Sequence, residues 1–249
     1  LSSILVCRSH IVAITVPPIH LILASASPRR QALLGLLGYP FTVIASGVDE
    51  DVHLDNDPPT YVARTARHKA EAVAHSLTLS VSQAPVSNLH SPSRQIIIAA
   101  DTTVALDDAI LGKPTGPTEA HAMLRALRDR VHAVHTAVCV LEPAAGRELV
   151  SVHTAAVTMR AYSDAEIDAY IATGDPLDKA GAYAIQHPVF QPVARLEGCF
   201  LAVVGLSLCG LSLMLHDLGL PCRADLPAIR ALHQGIPCAL LDQAQQQCR

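Results

Sequence analysis

The sequence predicts an α/β domain in which a mixed, elongated sheet is flanked by helices and carries a central cleft. In the first half, apolar runs typical of buried strands alternate with amphipathic helices, whereas the second half contains hairpins. No segment repeats, and no linker divides the chain. The polar residues of interest follow the ends of predicted strands, where α/β sheets form their ligand crevices. These observations favour one domain with its functional site at strand ends.

Composition argues against several classes of protein. The 249 residues carry a formal net charge of -4, whereas general nucleic-acid binders are usually basic, so we expect no nucleic-acid partner. The longest uncharged apolar stretch, residues 199–215, is shorter than the roughly 18–20 residues of a membrane span, and we expect no membrane association. The seven cysteines are odd in number and lack a CxxC pair. We therefore expect neither a disulfide framework nor a structural zinc site, and we place the protein in a reducing cytoplasm. The thirteen histidines are interpreted as surface or packing residues.

The domain boundaries follow from local composition. Residues 1–18 contain Arg8 and His10 within an apolar stretch and lack the pattern of a signal peptide, so we interpret them as a non-structural extension. The folded domain is expected over residues 19–220. Within it, residues 77–94 are rich in Ser, Pro, Gln and Asn and predict a surface insertion. Residues 221–249 form a C-terminal tail without a chemical motif, in which the spacing allows a short helix over 226–232.

The stretch LILASASPRR, residues 21–30, predicts a buried strand that leads directly into a helix. Ser27 and Pro28 are typical of an N-cap and a first helical residue. Arg29 and Arg30 follow in the first turn, where free backbone N–H groups and the helix dipole already favour anions. The stretch indicates a polyphosphate site, although a purely structural helix start with surface arginines has the same pattern. The helix continues through an apolar face and ends at a glycine: Leu33, Leu34, Leu37 and Gly38.

A second predicted strand, residues 41–45, precedes an acidic turn that contains Asp49, Glu50 and Asp51. Three carboxylates at a strand end offer oxygen ligands to Mg²⁺, although each alone also fits a solvated loop. Residues 58–76 predict a helix, and Lys69 lies near the edge of its apolar face, as a solvated lysine would. The face itself is apolar at Val62, Ala66, Ala70 and Val73.

Residues 96–114 predict a hairpin that brings opposite charges together. Three isoleucines form a buried strand, Asp101 lies where that strand emerges, and the return strand ends at Lys113. A two-residue loop would pair Thr102 with Lys113, whereas a one-residue bulge would pair Thr103 with it and make Lys113 a diagonal neighbour of Asp101. The pair fits a cross-strand ion pair of little energetic value. A charged residue directly after a buried strand is costly, however, which favours a functional interpretation.

The remaining elements complete the predicted fold. A helix over 117–127 is followed by a hairpin of strands 131–141 and 148–159 and by a helix that a capping box opens at Ser163. The loop GDPLDKAGAYAIQ, residues 174–186, is either a plain connection or a ligand loop in which Gln186 could read a base edge. A last strand and helix are expected over about residues 199–216.

The order of these motifs resembles the Maf family of nucleoside triphosphate pyrophosphatases, which have an ITPase-like fold. The resemblance spans about residues 20–217 and rests on several motifs in order: SASPRR, the acidic turn, the helix with Lys69-Ala70, ADTTVALDDAILGKP, GDPLDKAGAYAIQ and VVGLSL. It implies metal-dependent cleavage of a nucleoside triphosphate to the monophosphate and pyrophosphate, which removes non-preferred nucleotides. The divalent cation is expected to be Mg²⁺, with Mn²⁺ as an alternative, and the family allows a homodimer.

The resemblance also implies roles for individual residues. Asp101 matches the catalytic aspartate, and together with Glu50 it is the expected metal ligand and the candidate base. Lys113 is expected to act with them in catalysis. The residues expected to bind substrate are Ser25, Arg29, Arg30, Lys69, Thr102 and Gln186. Arg29 matches a triphosphate clamp, whereas Arg30 is tied to the choice of nucleotide.

The same resemblance divides the family by substrate. The combination of Arg30, Thr102 and Gln186 is similar to the group that acts on dTTP and UTP, and the chain has no tryptophan to stack on a cationic methylated purine. The alternatives are a 7-methyl-GTP or broad-spectrum pyrophosphatase, or a non-catalytic nucleotide-binding protein that affects septum formation. Departures from the family pattern include Ser207, where proline is common, and a long 77–94 segment.

Overall fold

One mixed sheet of seven strands organises the protein. The computed structural model describes residues 18–48, 57–82, 94–107 and 109–248. The strands are β1 Ile19–Leu23, β2 Phe41–Val43, β3 Arg94–Leu106, β4 Ala109–Leu111, β5 Val131–Glu142, β6 Arg147–Met159 and β7 Val193–Glu197. The helices in this part of the chain are α1 Pro28–Gly35, α2 Pro58–Ser82, α3 Pro117–Leu127, α4 Asp164–Ile171, α5 Phe200–Val204, α6 Leu208–Asp217, α7 Leu226–Leu232 and α8 Ala239–Gln247.

The strand order is β2-β1-β3-β5-β6-β7, with β4 paired to β3. Strands β2, β1 and β3 run parallel, as expected for strands that helices connect, whereas β3 to β7 pair antiparallel through hairpins and longer returns. The predicted α/β class with a mixed sheet and flanking helices is confirmed.

The helices cover the two faces of the sheet. Alternate residues of a strand point to opposite faces, so Ile97 and Ala99 of β3 pack against α2, whereas Ile96 and Ile98 pack against α1, α5 and α6. A separate apolar cluster forms where α3 and α4 cover the far ends of β3, β5 and β6. Burial of both faces explains why β3 is a continuous apolar run rather than an alternating pattern.

The long strand β3 leaves a gap along one edge. Its residues 94–98 pair with β1, and its residues 104–106 pair with β4, while β5 occupies the opposite edge from residue 97 to residue 105. Among the described strands, none pairs with residues 99–103 on the β1 side. The sheet therefore opens beside Asp101, Thr102 and Thr103.

The β3–β4 hairpin has the register of the two-residue loop. Val104 pairs with Leu111 and Leu106 with Ala109, a register that would carry Thr102 toward Lys113 although the ladder ends at Leu111. The alternative with a bulge is wrong. Asp107 begins the turn with φ 53°, a left-handed conformation that aspartate tolerates better than most residues.

Several predicted element bounds require correction. Helix α2 continues to Ser82 rather than ending at residue 76, so the first six residues of the predicted insertion 77–94 are helical and its last residue, Arg94, begins β3. The segment expected as a strand and helix over 199–216 consists of α5 and α6, separated at Gly205, where φ is +125°. The preceding strand, β7, escaped prediction because its alternation carries charges at Arg195 and Glu197 and it pairs only with β6 in the described sheet.

The N-terminal and C-terminal segments differ in what the structure describes. Strand β1 begins at Ile19, and residues 1–17 of the expected extension lie outside the described residues. In the tail, α7 spans the expected residues, and α8 follows it. Cys222 and Cys248 form a disulfide with a Cα–Cα distance of 5.3 Å, a single bridge that the expectation of no disulfide framework did not foresee. No helix in the described part of the chain combines the length and apolarity needed to cross a bilayer.

Candidate active site

The gap beside β3 opens into a cleft of about 640 Å³. Residues from the β1–α1 turn form one side, and the β4 hairpin and the loop after α4 form the other. Most of the sequence-predicted site residues line it, namely Ser25, Arg29, Arg30, Asp101, Thr102, Lys113 and Gln186. The structure therefore brings together residues that are up to 161 positions apart in the chain, counted from Ser25 to Gln186.

Strand alternation sends the two polar residues of β3 to opposite faces. Asp101 has the parity of Ile97 and Ala99, so its side chain faces α2, whereas Thr102 has the parity of Ile98 and faces α1 and α5. Both reach the cleft because the sheet is interrupted at this level. The carboxylate and the hydroxyl thus approach a common space from the two layers of the fold.

Lys69 of α2 is the buried partner of Asp101. Its Nζ donates to Asp101 Oδ1 at 2.7 Å, and each residue is only 4% exposed. Lys69 lies at the helical spacing i, i+4, i+7, i+11 that begins at Val62 and Ala66, so it lies on the buried seam rather than at its edge. The interpretation of Lys69 as a solvated lysine is wrong. The ammonium group places a positive charge directly against the carboxylate that faces the cleft.

Arg30 is held in position on three sides. Its Nε donates to the Gly205 carbonyl at 2.8 Å, one terminal nitrogen to Ser25 Oγ at 3.3 Å, and the other to Thr102 Oγ1 at 3.4 Å. Thr102 in turn is hydrogen-bonded to Thr136 Oγ1 at 2.9 Å. A planar guanidinium carries its donors on three separate nitrogens and so reaches acceptors that lie far apart, whereas the three donors of an ammonium group share one atom.

The turn before α1 is built as the sequence predicts. Ser27 caps the helix by accepting from the Arg30 backbone N–H, and Pro28 occupies the first turn. Arg29 extends across the cleft opening toward Asp178, with 3.8 Å between the charged atoms and about a third of its side chain exposed. The first turn of α1 therefore presents a helix N-terminus and two guanidinium groups to the cleft.

The opposite wall contains a lysine that the sequence analysis did not select. Lys179 lines the cleft and is buried, and its Nζ donates to Asp175 Oδ1 at 2.9 Å and to Asp178 Oδ1 at 2.6 Å. Burial alone would raise the pKa of Asp175, but hydrogen bonds from Tyr170 and Lys179 bring it below its ordinary value. The i,i+4 spacing of Asp175 and Lys179 in the 174–186 loop was the signal that could have identified this pair.

Beneath that wall, His132 of β5 is buried against Tyr183, with 2.7 Å between His132 Nε2 and the tyrosine oxygen. Burial lowers the pKa of His132 to about 4 and raises the pKa of Tyr183 above its ordinary value, so both are neutral at neutral pH. His132 Nδ1 has no hydrogen-bond partner among the described residues. Tyr183 lines the cleft, whereas His132 does not.

The remaining predicted site residues have different positions. Lys113 and Gln186 lie at the exposed mouth of the cleft. Lys69 lies behind Asp101 and does not line the cleft. Glu50, the second expected metal ligand, and its neighbours Asp49 and Asp51 lie outside the described residues.

A family model described as "Maf-like protein" matches residues 20–218 of the chain. The chain belongs to the Maf-like family. The match covers β1 to α6, which includes every element that lines the cleft, and it ends before the tail that carries α7 and α8. The resemblance found in the sequence motifs is confirmed.

Three curated relatives of this Maf-like chain have the same name. A protein of Thermomicrobium roseum is 45% identical over 81% of this chain and 85% of its own length, and one of Moorella thermoacetica is 43% identical over 76% and 89%. One of Anaeromyxobacter dehalogenans is 41% identical over 84% and 98%. All three are named dTTP/UTP pyrophosphatase. Among solved structures, the Ham1 protein of Staphylococcus aureus is 16% identical with a TM-score of 0.36 over 56% of this chain and 71% of its own, a distant likeness at most.

Proposed function

We propose that this Maf-like protein hydrolyses dTTP and UTP to the nucleoside monophosphate and pyrophosphate. The observation that carries the proposal is the cleft in which the arginines of the α1 N-terminus and the carboxylate of Asp101 face one space. Relatives at 40–45% identity that are named dTTP/UTP pyrophosphatase support the same reaction. The cleft places groups that can bind phosphate near a group that can activate water.

The substrate's two ends suit different parts of the cleft. Arg29, Arg30 and Lys113 supply positive charge for the triphosphate, aided by the free N–H groups at the start of α1. Gln186 at the mouth has the paired donor and acceptor that a pyrimidine edge requires. The absence of tryptophan removes the best stacking partner for a methylated, cationic purine.

A divalent cation of the Mg²⁺ or Mn²⁺ type fits the donor chemistry of the cleft. Mg²⁺ prefers oxygen ligands and is usually bound by one or two carboxylates plus substrate phosphates, and Asp101 opens on the space that the phosphates would enter. Asp101 and Glu50 are the residues proposed to hold it. When bound, the cation would neutralise phosphate charge and lower the pKa of a coordinated water.

In the proposed reaction, a water molecule attacks the α-phosphorus, and the bond from that phosphorus to the oxygen bridging to the β-phosphate breaks. Pyrophosphate leaves with its added charge stabilised by Arg29, Arg30 and Lys113. Asp101 or Glu50 accepts the proton of the water. Lys69 contributes by fixing the direction of the Asp101 side chain through its 2.7 Å hydrogen bond.

The test is a nucleotide panel. The purified chain is incubated with Mg²⁺ and dTTP, UTP, CTP, ATP, GTP or 7-methyl-GTP, and released pyrophosphate is measured. We expect the highest kcat/KM for dTTP and UTP. Asp101→Asn should lower kcat by roughly 10²–10⁴-fold while nucleotide binding stays measurable, because the variant loses the acid–base or metal-ligand role and keeps Arg29 and Arg30. The variant also removes the charged partner of Lys69, so its folded fraction is measured alongside its turnover.

Asp107→Asn is the matched control, since Asp107 lies at the turn of the same hairpin, is exposed and pairs with Arg130. This variant should turn over at the wild-type rate. A preference for 7-methyl-GTP would overturn the substrate assignment but not the reaction. Binding without pyrophosphate release from any nucleotide would instead favour the non-catalytic role.

Two further parts of the proposal concern the setting of the enzyme. We place it in the cytoplasm, where nucleoside triphosphates are made and used, although a disulfide such as Cys222–Cys248 is unusual in that reducing compartment. The family resemblance allows a homodimer. Cell fractionation would test the first of these, and light scattering of the purified chain would test the second.

A further inference from the structure

Four metal-binding side chains from the last fifth of the chain meet in a buried cluster away from the cleft. Cys199 precedes α5, Cys209 lies in the first turn of α6, His233 ends α7 and Cys238 precedes α8. Their exposed fractions are 5%, 1%, 1% and 6% in that order. The ligand atoms, three Sγ and one histidine nitrogen, all lie within 4.8 Å of one another. None of the four lines the cleft.

The distances match a tetrahedral site. His233 Nε2 lies 3.8 Å from Cys199 Sγ and 3.7 Å from Cys209 Sγ. A zinc ion with Zn–S near 2.3 Å and Zn–N near 2.0–2.1 Å places sulfur and nitrogen ligands about 3.6 Å apart in a tetrahedron. These two nitrogen–sulfur distances are therefore close to the value that a zinc ion would impose, and all four donor atoms lie within 4.8 Å of one another.

Neighbouring groups orient two of the ligands. His233 Nδ1 lies 2.9 Å from the Ile229 carbonyl oxygen, which can only accept, so this nitrogen carries the proton and the lone pair of Nε2 points at the sulfurs. Ser207 is fully buried, and its Oγ donates to Cys199 Sγ at 3.9 Å. Hydrogen bonds of this kind, a histidine to a backbone carbonyl and a hydroxyl to a thiolate, typically surround protein metal ligands.

We propose that Cys199, Cys209, His233 and Cys238 bind one zinc ion in a structural site. Three thiolates and an imidazole form a soft ligand set that favours zinc over magnesium or calcium. Four protein ligands fill the tetrahedron and leave no position for water or substrate, which is the arrangement of structural rather than catalytic zinc.

The ion would fasten the C-terminal tail to the body of the domain. Cys199 and Cys209 lie within the family match of residues 20–218, whereas His233 and Cys238 lie beyond it. The separate Cys222–Cys248 disulfide connects the start of the tail to its end and involves none of the four ligands. The zinc ion would thus be the link between the tail and α5–α6 in addition to apolar packing.

The expectation of no structural zinc site rested on the absence of a CxxC pair. This cluster instead takes one ligand from each of four helix ends, so its ligands are adjacent only after α5 to α8 have packed. Sequence spacing alone could not reveal it.

Elemental analysis of the full chain tests the proposal. The protein is produced in zinc-supplemented medium and purified with a reductant and without chelator. We expect about one zinc per chain, the stoichiometry of a closed four-ligand site. After removal of zinc, Co²⁺ should restore a tetrahedral spectrum with intense thiolate-to-metal charge-transfer bands.

Variants separate ligation from general packing. Cys238→Ser and His233→Ala should reduce the zinc content at least about tenfold, whereas His233→Cys should retain it, because a four-cysteine set also binds zinc. Cys139→Ser is the matched control: Cys139 is a buried free thiol of β5 outside the cluster and should not affect zinc content. Cys222→Ser, which removes the disulfide, should also keep the zinc.

The proposal is overturned if reduced wild-type protein contains less than about a tenth of a zinc per chain and gives no tetrahedral Co²⁺ spectrum. Mapping of a disulfide between two of the three cluster cysteines in freshly prepared protein would also overturn it. These measurements use the wild-type chain, so they decide the question even if Cys238→Ser fails to fold. They are independent of nucleotide hydrolysis.

Discussion

The cleft and the cysteine–histidine cluster are two groups of polar side chains that meet opposite ends of the same short helix. Helix α5 begins after Cys199, one of the cluster cysteines, and ends at Gly205, whose carbonyl accepts from Arg30 of the cleft. The polar groups of the cleft surround an open space of about 640 Å³, whereas the four ligand atoms of the cluster converge on one another. An open space suits a ligand that enters and leaves, and a closed set suits an ion that stays.

Buried charged groups contribute differently to stability in the two regions. In the cleft, Asp101 and Lys69 form an ion pair whose removal from water is costly, and apolar residues of similar size would be as stable or more so. The proposed role of Asp101 in hydrolysis gives a reason why the pair is kept. In the cluster, zinc binding would itself add to the free energy of folding, because the unfolded chain has no preformed site.

The sharpest test of the comparison is to remove the charge of Lys69. We expect Lys69→Met to lower the free energy of unfolding by roughly 3–5 kcal/mol, because Asp101 stays buried without its lysine. The double variant Lys69→Met/Asp101→Leu should recover most of this loss and yet release no pyrophosphate. Denaturant unfolding and the pyrophosphate assay provide the two readouts.

Arg67→Met is the control on the same helix. Arg67 pairs with Glu148 at the same 2.7 Å, but the two side chains are 43% and 30% exposed. Its loss should cost less than about 1 kcal/mol, the value of a surface pair. If the double variant were as unstable as Lys69→Met alone, the ion pair would be a stabilising element, and the distinction from the cluster would fail.

A second test uses acid, which acts on the wall of the cleft through His132. Folding lowers the pKa of His132 from 6.5 to about 4, because burial against Tyr183 disfavours the charged form. Between these two values the unfolded chain binds a proton that the folded chain does not. The contribution of His132 to the free energy of unfolding is therefore complete above pH 6.5 and is lost as the pH falls toward 4. The total loss amounts to about 3 kcal/mol.

The measurement is the free energy of unfolding of wild type and His132→Gln at several pH values from 7 to 4. The glutamine keeps a hydrogen-bonding group for Tyr183 but does not titrate, so the variant should lose less stability on acidification. His75→Gln, at an exposed position on α2, should follow the wild type. Parallel curves for wild type and His132→Gln would show that His132 does not cause the acid loss.

The sequence predicted the cleft better than it predicted the tail, for a physical reason. The cleft's strand ends and helix start carry local signals, such as Ser27-Pro28 before Arg29, and the motif order implied the roles that are proposed for them. The cysteine–histidine cluster depends on how four helices pack, which no local spacing encodes. The two elements whose bounds were predicted wrongly also depend on contacts between residues far apart in the chain. Helix α2 continues because it packs along the sheet, and β7 forms because it pairs with the edge of β6.

Lys69 was predicted only in part from the sequence. The helical pattern of α2 was correct, but both Lys69 and Ala70 are buried, and only the position of Asp101 on β3 explains why a lysine is tolerated there. A buried lysine on an apolar seam was a signal that a carboxylate had to face it. Pattern alone favoured the more common solvated lysine.

The smallest expected effect concerns the division of labour between the two arginines. Arg30→Lys removes the planar contacts to Gly205, Ser25 and Thr102, so we expect the ratio of kcat/KM for dTTP over 7-methyl-GTP to fall about tenfold. Arg29→Lys keeps a point charge at the opening and should raise KM for all nucleotides with little change in that ratio. Equal shifts in the ratio for both variants would contradict the division. The result would also sharpen the comparison between the regions, because Arg30 is the cleft residue bound to α5, the helix that the zinc ion would hold at its other end.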